Sequence, residues 1–149
     1  MNDITPAPSS LIGQKVPRLE DRALLAGRGR FADDLPTKRG TLEAHVLRSP
    51  HAHAQIINID TAAARALPGV HAILTGEDVR GCSDSFLVAL KAKVEQWALA
   101  VGRVRYVGEA VALVVAESRY IAEDAAELVE VTYQVLPSVI DVRDAVQPD

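Results

Sequence analysis

The residue types that could do chemistry are few, and their spacing decides how much they can do. The chain holds four histidines and one cysteine. His51 and His53, in Ser49-Pro50-His51-Ala52-His53-Ala54, lie two apart and share a face in extended chain. A metal site needs three or four convergent ligands held by a second shell, and no cysteine or carboxylate at fixed spacing joins this pair. The competing reading is a loop-to-strand turn whose imidazoles bond to backbone or to a neighbouring subunit. Cys82, in Gly81-Cys82-Ser83-Asp84-Ser85, has no histidine tied to it by sequence, so a nucleophile–base pair has no basis and a structural or surface thiol is expected. Glu20-Asp21 and Asp33-Asp34 are adjacent pairs, which solvated turns explain. Gly27-Arg28-Gly29-Arg30-Phe31-Ala32 spells G-x-G-x-x-A. A dinucleotide fingerprint requires a strand before it and a helix after it. Here helical or irregular chain precedes it and Asp33-Asp34-Leu35-Pro36 follows, so a flexible basic loop, on the surface or at a subunit contact, is the reading. No residue is assigned a catalytic, cofactor-binding or metal-binding role.

The elements that must position these residues follow from periodicity. A short helix is expected around Arg22–Ala26, ended by Gly27. Strands are expected over Leu42–Arg48, with Leu42, Ala44 and Val46 on one face, over Gln55–Ile59, and over Val70–Thr75, closed by Gly76. Between the last two, Asp60 or Thr61 caps a helix that Pro68-Gly69 ends. From Phe86 to Val101, Leu87, Leu90, Val94, Trp97, Ala98 and Val101 recur at helical spacing and predict an amphipathic helix. Ala110–Ala116 is apolar throughout, as a buried strand is. Ser118 then caps a helix with Ile121, Ala125, Leu128 and Val129 inward and an acidic outer face. Val131, Tyr133 and Val135 alternate inward along the next strand, and Val139–Val142 can add a short one. The pattern is α+β, with a mixed sheet and two strand–helix–strand units, at Gln55–Thr75 and Ala110–Val135.

Composition bounds the class. With 149 residues there is one ordinary domain, and 48% hydrophobic against 24% charged residues fits a globular chain rather than a disordered one. A single cysteine excludes a disulfide framework or a cysteine-based cluster built from this chain alone. A net charge of −4 argues against nucleic acid as partner. No apolar run approaches a membrane span and Met1–Ser10 lacks a secretory pattern, so the cytoplasm is expected. Residues 1–12 are expected as a flexible tail and 13–149 as the domain.

Several phrases together resemble the molybdenum-binding large subunit of the xanthine dehydrogenase/aldehyde oxidase family, the carbon-monoxide dehydrogenase branch included. They are Arg18-Leu19-Glu20-Asp21-Arg22, Gly27 to Asp34, Ser49 to Ala54, Leu67-Pro68-Gly69-Val70 and Thr75-Gly76-Glu77-Asp78. Val104-Arg105-Tyr106-Val107-Gly108-Glu109 is the most characteristic; Ala122 to Glu127, Val131-Thr132-Tyr133 and Leu136-Pro137 complete the series. The resemblance implies an α/β-hammerhead, the structural domain that begins a longer subunit. In the complete enzyme it would pack against the molybdopterin domains and the iron–sulfur subunit, while an aldehyde, N-heterocycle or related small substrate is oxidised. Molybdopterin, iron–sulfur clusters and FAD would lie on other domains and subunits, and none would be bound by this chain alone. The residues about 79–103 correspond to a variable segment, here without its usual prolines. Glu109, His51 and His53 fall inside family phrases that act as fold signatures. The alternative is a free-standing or split-subunit interaction module without catalytic activity.

Overall fold

The computed structural model describes residues 12–86 and 95–147. The expected tail over 1–12 lies outside them save for Ile12, and so does the centre of the expected 86–101 helix. The chain divides into two units, Met1–Lys38 and Arg39–Asp149.

In the first unit, Arg18 Nε reaches Asp21 Oδ1 at 2.9 Å, and α1 spans Asp21–Leu25 with no buried residue. Its end is set by Gly27, at φ +66°. The Gly27 N–H donates to the Leu24 carbonyl at 3.1 Å and the Arg28 N–H to that of Ala23 at 2.8 Å. That is a Schellman closure, which favours glycine because its backbone is left-handed. A short 3-10 turn follows at Ala32–Asp34.

The second unit holds β1 (Glu43–Arg48), β2 (Ala54–Asp60), α2 (Ala62–Arg65), β3 (Val70–Thr75), α3 (Gly76–Cys82), β4 (Arg103–Val104), β5 (Ala110–Ala116), α4 (Arg119–Glu127) and β6 (Glu130–Val135). The strands form two three-stranded sheets, β1-β5-β3 and β4-β2-β6, and every pairing is antiparallel. The α+β class holds, with two small sheets in place of one mixed sheet. Each strand–helix–strand unit explains why. β2-α2-β3 carries the chain from one sheet to the other, and β5-α4-β6 carries it back. The units then pair through β2 with β6 and β3 with β5.

One core cluster is built from Ala64, Ile73, Val114, Ala116, Ala122, Ala125, Ala126 and Val129. The small residues let α4 lie close on the first sheet. Ser118 caps α4, its hydroxyl accepting the Ile121 N–H at 3.3 Å. A smaller cluster of Ala54, Ala100, Val104 and Val111 underlies the second sheet.

Several expectations are corrected. Leu128 is 42% exposed because α4 ends at Glu127 and Leu128 occupies its C-cap; Ala122 and Ala126 complete the inner face instead. Val135 is exposed at the end of β6. On β1 Ala44 is exposed and Leu42 precedes the strand, while Leu47, on the other face, packs on the core. Val139–Val142 forms no strand. The expected 86–101 helix does not include its described ends. Phe86 bridges Gln96 antiparallel, and residues 95–101 are extended or bent because the Ala100 N–H is drawn to the Ala110 carbonyl, at 2.7 Å. α3 was not foreseen, although its capping box was in the sequence. The Thr75 N–H and hydroxyl both donate to Asp78 Oδ2, at 2.7 and 2.8 Å. These two bonds hold the Asp78 carboxyl below the ordinary carboxylate range.

Candidate functional site

The two flagged histidines sit at the join of β1 and β2 and take separate partners. The Ser49 hydroxyl accepts the His51 N–H at 3.0 Å, closing the Ser-Pro-His turn. The His51 ring meets Tyr133 edge-on, centroids 4.9 Å apart. Burial pushes the Tyr133 phenol up from its usual value, and a hydrogen bond with Ser49 acts the other way. His53 Nδ1 lies 2.6 Å from the Pro137 carbonyl. A carbonyl only accepts, so this bond assigns the proton to Nδ1. The Leu136 N–H donates back to the His53 carbonyl at 2.9 Å. His53 is therefore a clamp on the chain that leaves β6. Among the described residues no group of three or more His, Cys, Asp or Glu comes together to hold a metal. Cys82 is exposed at the end of α3, its thiol 3.5 Å from the Val79 carbonyl. Gly27 to Ala32 follows a helix, without the strand a phosphate loop needs. Asp21 and Asp34 take local bonds, to Arg18 and to the Phe31 N–H.

The most elaborately held feature is the turn before β5. Glu109 is only 7% exposed, and among the described residues it and Ser49 are the buried polar ones. Its Oε2 accepts the Arg105 N–H at 2.5 Å. The Glu109 N–H closes the turn on the Tyr106 carbonyl at 3.2 Å, and Gly108 supplies φ +88° at the position a type II turn reserves for it. Three bonds extend the β1–β5 ladder into the turn: Gly108 N–H to Ser49 carbonyl at 2.8 Å, Ser49 N–H to Glu109 carbonyl at 2.9 Å, and Arg48 Nη1 to Gly108 carbonyl at 2.8 Å. The turn's tip, Tyr106 and Val107, stays exposed. It forms one wall of a cleft of about 380 Å³, with His53 in the cleft and Ser138, Val139 and Ile140 lining it as well. Sequence reasoning placed Glu109 in a fold-signature phrase but missed the cleft, since its walls are joined only by tertiary pairing.

The buried Glu109 carboxylate is thus committed to shaping the turn before β5. Residues 26–137 match the aldehyde oxidase and xanthine dehydrogenase α/β-hammerhead domain family, and the chain belongs to that family. It is 44% identical over 146 residues to the nicotine 6-hydroxylase large subunit of Paenarthrobacter nicotinovorans, covering 95% of this chain and 18% of that one. It is 43% identical over 138 residues to the carbon monoxide dehydrogenase large chain of Afipia carboxidovorans, covering 93% and 17%. Among solved structures, quinoline 2-oxidoreductase from Pseudomonas putida 86 superposes with a TM-score of 0.78 at 46% identity, over 89% of this chain and 17% of that one. The chain thus spans less than a fifth of the length of these relatives. No helix among the described residues is long and apolar enough to cross a membrane.

Proposed function

We propose that this chain is the N-terminal structural domain of the large subunit of a molybdopterin-dependent hydroxylase, working in the cytoplasm. The complete enzyme would oxidise an aldehyde, an N-heterocycle or a related small molecule. Molybdopterin would be held by the domains that follow, and iron–sulfur clusters and FAD by companion subunits. The observation that carries this reading is the family match over residues 26–137, together with relatives that are large subunits. No chemical step is assigned to this chain's residues. Their part is to fold around two alanine-rich clusters and present fixed surfaces to the rest of the enzyme.

The test is to purify the product of the full reading frame together with its companions. Molybdenum near one per large subunit, with oxidation of members of an aldehyde and N-heterocycle panel, is the expected outcome. A full-length product that carries no molybdenum and oxidises none of them would refute the reading. It would favour a free-standing interaction module.

A further inference from the structure

We draw no further inference here: the strongest candidate, the mixed polar and apolar cleft that His53, Arg105 and Tyr106 line beside residues 138–140, carries nothing, since nothing in the structure shows what covers it and packing on the rest of a large subunit restates an established property of the family.

Discussion

Gly76 opens α3, and a side chain there separates two physical effects of opposite sign. A Cβ built on Gly76 would lie 2.0 Å from the Ala100 carbonyl oxygen, 2.7 Å from its carbon and 3.1 Å from Val101 Cα. These are backbone atoms, so no rotamer change relieves the contact. Normal van der Waals separation would require the two segments to part by about 1 Å or more. Ala100 cannot retreat freely. It is 4% exposed, it packs with Ala54, Val104 and Val111, and its N–H donates to the Ala110 carbonyl at 2.7 Å. Helix propensity alone favours alanine over glycine by up to about 1 kcal/mol. Forcing volume into a packed site costs roughly 1–3 kcal/mol, and a backbone collision belongs at the upper end. Gly76→Ala is therefore expected to lose about 2 kcal/mol net, lowering Tm by about 5–10 °C for a domain of this size. Gly81 lies in the same helix with nothing within 4 Å of its Cβ position. Gly81→Ala should gain about 0.5–1 kcal/mol. Thermal and urea unfolding of both variants, followed by far-UV circular dichroism, checks the pair. A Gly76→Ala protein as stable as its parent would refute the close-packing argument. A destabilised Gly81→Ala would refute the propensity argument.

Glu109→Ala should cost about 1–2 kcal/mol in urea unfolding, because it removes the part-buried acceptor of the Arg105 N–H that holds the turn. Glu109→Gln keeps an acceptor there and should cost about half as much; equal losses would mean that the charge, not the bond, holds the turn. The folded Asp78 carboxyl titrates below its ordinary range, so its contribution is complete above the unfolded value, about pH 4. It is lost as pH falls through the lower folded value. Asp78→Asn should narrow the stability difference between pH 5 and pH 3, and an unchanged difference would contradict the capping assignment. Tyr133 has the opposite sign. Its folded pKa is raised, so its contribution is complete below the unfolded value, about pH 10, and fades as pH rises through the folded one. Tyr133→Phe should lose less stability than its parent between pH 9 and pH 11.

Where the sequence carried local signals, the elements were legible. Ala110–Ala116 and Val70–Thr75 were bounded residue for residue, since an apolar run closed by a cap or a glycine has few alternatives. Ser118 announced α4 through its capping geometry. α3 was missed because its signal is the Thr75–Asp78 spacing, not apolar periodicity. The helical spacing around Trp97 misled for the converse reason. The stretch 100–102 is recruited by β2 and β5 from outside, through Ala100 N–H to the Ala110 carbonyl and Ile56 N–H to the Gly102 carbonyl. Tertiary pairing of this kind overrides a local period. Partner choice was illegible too. Two strand–helix–strand patterns suggest a sheet with parallel neighbours, yet each unit crosses between sheets and every pairing is antiparallel.

The same distinction explains why the candidate surface was invisible in a chain whose family phrases were plain. Val104 to Glu109 is characteristic because Val104, Gly108 and Glu109 each answer a different constraint of one turn. Val104 is fully buried in the second cluster. Gly108 takes a backbone conformation that other residues adopt at a cost. Glu109, itself buried, accepts the Arg105 N–H. Tyr106 and Val107 answer none of these. Both side chains are exposed at the tip of the turn and outside the two core clusters. For that reason a substitution at Val107 is expected to leave the unfolding midpoint unchanged, whereas one at Glu109 lowers it, which thermal unfolding of the two variants checks.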